Sequence, residues 1–229
     1  MKIFAISDLH LSTTTNKPMN IFGGNWENYW QKIKTDWAEK VSEDDLVLVC
    51  GDLSWAMTLQ DAQADIEQVG QLKGKKIIIK GNHDYWWQSY SKVVSTLPKN
   101  FFAIQNNCLR FENVLISGTR LWTMTNQTAD DKKIVEREYL RLKLCLNELE
   151  KQRRDGDKTI FLCHFPPFDV TLSDNKFTQL FDEHAIDYVV YGHLHGKDSR
   201  SVLQLQKNNT QYLLTSCDLV DNKLIEIVF

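Results

Sequence analysis

The sequence predicts an α/β fold, and three features carry that reading. Short apolar runs rich in Val, Ile and Leu recur along the chain, most of them closed by Gly, Asp, Asn or His. Between them lie more polar stretches with apolar residues three and four apart. Near the end, runs follow one another without such a stretch. Strands that alternate with helices pack as α/β layers.

The apolar runs fall at 2–6 (KIFAI), 45–50 (DLVLVC), 75–80 (KKIIIK), 113–118 (NVLISG), 158–163 (KTIFLC), 187–192 (DYVVYG), 211–216 (QYLLTS) and 223–229 (KLIEIVF). Their length and composition suit buried strands. Residues 26–41 place Trp30, Ile33, Trp37 and Val41 at helical spacing, and 58–72 and 85–96 also read as helices. Residues 130–152 set Ile134, Leu142, Leu146 and Leu149 among many charges, as expected of an outer helix on a sheet. The runs 201–205, 211–216 and 223–229 suggest an antiparallel finish. Residues 11–28 read as a long loop, and a loop of that length directly after a motif is expected to line a site.

At 229 residues, 42% hydrophobic and 25% charged, the chain fits one domain over 1–229 with a substantial core. A net charge of −3 argues against a broad basic surface, so no duplex nucleic acid partner is expected. It leaves room for a small phosphorylated substrate, because bound cations would supply positive charge locally. Cys50, Cys108, Cys145, Cys163 and Cys217 form no C-x-x-C pair and mostly sit in apolar runs, which suits free thiols in a reducing compartment. Asp8 interrupts the first apolar run too early for a signal peptide, and no stretch approaches the roughly 20 apolar residues of a membrane span. A cytoplasmic protein without membrane attachment is expected.

The polar residues of metal chemistry gather where these runs end. Asp8 and His10 follow the first as D-L-H, and Gly51-Asp52 follow the second. Gly81-Asn82-His83-Asp84 follow the third, His164 follows Cys163, and Gly192-His193-Leu194-His195 follow Tyr191. The carboxyl ends of strands are where open α/β sheets bind ligands. Of six histidines only His184 lies outside these positions. D-x-H alone recurs by chance and G-D after a strand is commonly a turn; the ordered set carries the argument. Carboxylate, amide and imidazole donors suit Mn, Fe, Zn or Co rather than a thiolate-seeking metal. Cys163 neighbours His164 on a strand, so it points the other way, into the core.

In that order, DLH (8–10), GD (51–52), GNHD (81–84), His164 and GHLH (192–195) resemble the motifs of the calcineurin-like metallophosphoesterase superfamily. The resemblance implies a four-layer α-β-β-α sandwich with two mixed sheets face to face. It implies two divalent metal ions: Asp8, His10 and His195 on one, Asn82, His164 and His193 on the other, Asp52 bridging. Two such ions activate water, and the hydroxide attacks phosphorus in line with the leaving oxygen. His83 is not a ligand in that scheme and is the candidate general acid; Asp84 could orient its ring, cap a helix over 85–96, or both. Arg120 could contact phosphate or form a surface salt bridge. Trp55, Trp86, Trp87 and Trp122 could floor a nucleobase site, although core packing is the favoured role.

Subfamily differences narrow the activity. Protein Ser/Thr phosphatases carry G-D-x-V-D-R-G where this chain reads GDLSWAM. Lipid A pathway hydrolases carry Arg at the position of His83, and double-strand-break nucleases add a capping region. GNHD looks most like the cyclic-nucleotide phosphodiesterase-like and bacterial phosphohydrolase branches. A phosphodiesterase acting on a small or nucleotide-like substrate is the expectation; a monoesterase and a non-catalytic scaffold of the same fold are the alternatives.

Overall fold

The computed structural model describes residues 1–125, 127–196 and 202–229. Its elements, in chain order, are β1 (Ile3–Ile6), α1 (Tyr29–Lys40), β2 (Leu46–Val49), α2 (Leu59–Gly70), β3 (Lys75–Ile79), α3 (Tyr90–Val94), β4 (Phe101–Ile104), β5 (Cys108–Phe111), β6 (Val114–Gly118), α4 (Ala129–Glu150), β7 (Lys158–Leu162), α5 (Lys176–Glu183), β8 (Tyr188–Tyr191), β9 (Gln204–Lys207), β10 (Thr210–Leu214) and β11 (Ile225–Ile227). Two sheets form, ordered β11-β1-β2-β3-β4 and β5-β6-β7-β8-β10-β9. Both are mixed: β1 to β4 run parallel with β11 antiparallel at one edge, and β6, β7, β8 and β10 run parallel between antiparallel β5 and β9.

The twofold alternation of side chains along each strand creates the layers. Ile3 and Ala5 of β1, Leu46 and Leu48 of β2 and Ile77 and Ile79 of β3 face one way. They meet Ile116, Ile160, Leu162, Val190 and Leu213 of the second sheet, and a dry core forms between the sheets. Phe4, Ile6, Val47, Val49 and Ile78 face outward and are covered by Ile33 and Trp37 of α1 and Ile66 and Val69 of α2. On the far side Leu115, Phe161, Val189 and Tyr212 pack under Leu142 and Leu146 of α4 and Phe177 and Phe181 of α5. Strands covered on both faces must be apolar throughout, which is why their sequences read as runs rather than as alternation. The layers are therefore helix, sheet, sheet, helix. Cys163 packs into the outer core of the second sheet, on the face expected for it.

Three sequence expectations change. Residues 85–96 yield only the short α3, which begins after Ser89 without a side-chain cap, because Trp86 and Trp87 turn into the core beneath an irregular loop. The finish is split between the sheets: β9 and β10 pair antiparallel, whereas β11 crosses to pair with β1. Of the expected run 201–205, residue 201 lies outside the described residues. Helix α5 and strands β4 and β5 were not expected. All five cysteines are free, and no described helix is long and apolar enough to cross a membrane.

Candidate metal centre

Asp8 and His10 follow β1, Asp52 follows β2 and Asn82 follows β3, three parallel neighbours of the first sheet. His164 follows β7 and His193 and His195 follow β8, neighbours in the second. The sheets are stitched together at this end: Ser7 bridges to Ser216, with the Ser7 N–H donating to Thr215 at 2.8 Å and the Cys217 N–H to Ser7 at 3.0 Å. Chain reversals immediately after the strands turn the ligands inward. Asp8, His10, Asp52 and His193 all hold left-handed φ values, of 58°, 44°, 51° and 71°. Such conformations cost about 1–3 kcal/mol each in non-glycine residues and cluster at functional sites. The motif glycines answer to crowding: a Cβ on Gly81 would run into the Asp52 carboxylate, and one on Gly192 into that of Asp8.

Every residue assigned to metal by sequence converges here. His10 Nε2 and His195 Nε2 lie 3.4 Å apart, and His195 Nε2 is 3.6 Å from Asp8 Oδ1. Asn82 Oδ1 is 2.6 Å from His164 Nε2 and 2.9 Å from His193 Nδ1. Asp52 Oδ2 stands between the two sets, 3.7 Å from His10 Nε2 and 3.4 Å from His164 Nε2. Asp8, His10 and His195 form one group whose donor atoms lie within 4.8 Å of each other, and Asp8, Asp52 and His164 form a second.

The donors fit divalent cations. Asp8 and Asp52 are both buried, and Asp8 Oδ1 has no hydrogen-bonding partner among the described residues. Buried polar atoms are rarely left so. Burial pushes His10 down to about 4; it also pushes His193 to about 4, helped by the charge of His164. Burial opposes charge on the other two rings as well, but loses. Asp52 and Asp8 hold His164 up to about 9, and Asp218 and Asp8 hold His195 up to about 10. Burial would likewise raise Asp8 and Asp52, yet their imidazolium neighbours keep both below the usual carboxylate range.

His83 lies on the cavity wall with its N–H donating to Asp52 Oδ1 at 2.8 Å. Its ring is half-buried, 4.3 Å from Trp55, and Nδ1 meets the Tyr85 hydroxyl at 3.3 Å. Asp84 does not orient that ring, nor does it cap a helix. Its carboxylate accepts from the backbone N–H groups of Gly81 (2.7 Å), Asp52 (2.8 Å), Leu53 (3.0 Å) and Ser54 (3.3 Å), and from Trp86 Nε1 (2.9 Å). Asp84 is therefore a clamp between the loops that carry Asp52 and Asn82. Arg120 forms no surface salt bridge among the described residues: its guanidinium lies 4.6 Å over the Trp122 ring, and its carbonyl accepts from the His164 N–H at 3.1 Å. Trp86 and Trp87 belong to the core. Trp55 faces the cavity but stacks on His10 at 4.8 Å, with the Lys17 ammonium 5.5 Å from its ring centre.

Asp218 is the functional residue missing from the sequence reading. Its Oδ1 is 2.8 Å from His195 Nδ1, and its Oδ2 accepts from the Gly196 N–H at 2.9 Å. Carboxylates behind ligand histidines fix the ring and raise its basicity. The signal was present, since Asp218 closes the segment LLTSCD after β10. The long loop does line the site, through Met19, Phe22 and Trp26.

Candidate metal ligands gathered at the strand ends of two facing sheets are the arrangement expected of a metal-dependent phosphohydrolase. The calcineurin-like phosphoesterase family model matches residues 1–197, and the chain belongs to that family. Its fold is shared by the phosphopantetheinyl hydrolase of Mycobacterium tuberculosis, at 16% identity and TM-score 0.61 over 99% of this chain and 95% of that one. The protein TT1561 of Thermus thermophilus shares it at 14% identity and TM-score 0.58, over 99% and 97%. So does GAP50, the anchor in the inner membrane complex of Plasmodium, at 14% identity and TM-score 0.54, over 95% and 72%. At these identities the likeness is one of fold alone. No curated protein matches the sequence.

Proposed function

We propose that this enzyme hydrolyses phosphodiesters whose two ester arms lie in the two clefts that meet at His193. That meeting carries the reading. One cleft, of about 380 Å³, is walled by Met19, Phe22, Trp26 and Trp55 and floored by His10, Asp52, His83, His193 and His195. The other, of about 560 Å³, runs between Met124, Phe165, Phe168, Leu172 and Leu194 and also ends on His193. Neither is lined by a Lys or Arg among the described residues. A singly charged diester with two organic arms suits apolar walls on both sides of the centre.

Asp8, His10 and His195 would hold one divalent cation and Asn82, His164 and His193 the other, with Asp52 shared; the donors suit Mn, Fe, Zn or Co. Bound there, the pair would lower the pKa of water to about 7 and neutralise charge on the phosphoryl oxygens. Asp84 keeps the loops of Asp52 and Asn82 in register. His83 protonates the leaving oxygen: Tyr85 engages Nδ1, which leaves Nε2 to face the ester. Burial lowers its pKa, so the acid form is depleted as pH rises and alkyl-ester turnover should fall on the basic side.

Under matched metal, bis-p-nitrophenyl phosphate should be cleaved faster than p-nitrophenyl phosphate. A clear preference for the monoester would overturn the diester reading, and inactivity of the fully metal-loaded protein on every ester would point to a scaffold. His83→Ala should cost about 10²–10⁴-fold on an alkyl ester. It should cost far less on a nitrophenyl ester, whose leaving anion needs no proton, and metal content should be retained.

A further inference from the structure

Beside the metal centre lies a separate cavity of about 190 Å³ in which Lys80 and Arg120 face each other's charge, with Gln88, Gln105, Asn106 and Arg141 around them. Nearby anions are already engaged. Glu138 is buried and takes Arg141 at 2.6 Å, the Thr119 hydroxyl at 3.0 Å and Arg137 at 3.6 Å. Asp84 is filled by five donors. Among the described residues the Arg120 guanidinium has no ion pair or hydrogen bond, only the Trp122 face. The Lys80 ammonium reaches only the Trp87 carbonyl, at 3.5 Å. Gln105 commits its carbonyl oxygen to Trp87 Nε1 at 2.8 Å, which leaves its amide free to donate. Two half-buried cations and a spare amide, without an anion among them, form an incomplete electrostatic set.

The cavity is tied to the reaction centre twice. Lys80 precedes Gly81-Asn82 on the loop after β3, and the Arg120 carbonyl holds the backbone of His164. A run of rings also leads there: His193 lies 4.2 Å from Phe165, Phe165 4.9 Å from Trp122, and Trp122 4.6 Å from the Arg120 guanidinium. Phe165 is a wall of the second apolar cleft.

We propose that Lys80 and Arg120 form a second anion subsite, which captures a phosphate group carried on the substrate arm that leaves the metal centre past Phe165. A guanidinium fork and an ammonium together match phosphate oxygens. This identifies the substrate class as a diester bearing a further phosphate, and it rests on the phosphodiester reading above.

Two p-nitrophenyl alkyl diesters test it, one with an arm ending in phosphate and one ending in hydroxyl. The wild-type enzyme should prefer the phosphate-ended arm in kcat/KM by about tenfold or more, as charge-assisted hydrogen bonds of about 1.5–3 kcal/mol imply. Lys80→Gln and Arg120→Gln should each shrink that ratio, and a ratio is insensitive to the fraction of protein that folds. Calorimetric titration of inorganic phosphate into the metal-loaded protein separates the two claims. Two equivalents in the wild type and one in either variant support the subsite even if neither diester is cleaved, in which case the diester reading fails alone. Equal kcat/KM on both arms, or one phosphate equivalent in wild type and variants alike, overturns the subsite while leaving the diester reading intact.

Discussion

His164 and His195 both reach the buried carboxylate pair, but by different means. His164 is fully buried. The backbone carbonyl of Cys50 holds its Nδ1 at 2.8 Å, and Asn82 meets its Nε2. His195 stands on the exposed rim, its side chain 32% accessible. It is aimed by a single carboxylate, Asp218, and flanked by Trp26 at 5.5 Å. The His164 ring is thus held by the backbone of packed strands, and the His195 ring by one side chain, Asp218, at the rim. The fold fixes the first ring; the second can be tuned.

The largest effect should come from Asp52, the residue proposed to serve both halves. Asp52→Asn removes the charge shared between two cations, so both should be lost together and kcat/KM should fall by about 10³-fold or more. Elemental analysis showing one cation still bound at full occupancy would mean that Asp52 serves one half only. His164→Ala should strip its own half of metal. It also leaves the Cys50 carbonyl without its imidazole partner, at about 1–3 kcal/mol, read as a lower urea midpoint. An unchanged midpoint would deny that this half is part of the folded core.

Asp218→Asn should leave the urea midpoint near that of the wild type and weaken metal binding at the rim half by about 10–100-fold. Equal weakening of both halves would erase the distinction drawn here. The last effect concerns pH. His164 and His195 carry protons up to about 9 and about 10 in the metal-free protein, and metal must expel them. Affinity should therefore rise with pH through the neutral range, by about tenfold per pH unit for each proton displaced. In Asp218→Asn, His195 loses a counter-charge and its pKa falls, so that slope should lessen. An affinity that does not change with pH would contradict the charge states assigned to the two rings.

The same contrast explains what could be read from sequence. The candidate ligands were legible because each closes an apolar run, and a strand covered on both faces has to be such a run. Asp8, Asp52, Asn82, His164 and the GHLH pair all stand at such ends, and they meet. Asp218 closes a run too, but Thr215, Ser216 and Cys217 separate it from the strand proper. Its role depends on a ring from another strand's loop, which no local pattern encodes. Asp84 was misread for a related reason. Its partners Asp52, Leu53 and Ser54 lie some 30 residues away, so adjacency to His83 was the wrong guide. Helix α3 shrank because Trp86 and Trp87 prefer the core to a helical register, and β11 crossed sheets because β1 offered a free edge. These are tertiary outcomes, visible once two sheets are placed face to face.

The central claim is that ligands from both sheets assemble one dinuclear hydrolytic centre. Metal-stripped protein titrated with Mn, with bis-p-nitrophenyl phosphate hydrolysis followed against metal bound per chain, tests it most directly. Activity absent at the start, rising with loading and saturating at two equivalents, is the predicted result. Full activity in the stripped protein, saturation at one equivalent, or inactivity with two bound would contradict it.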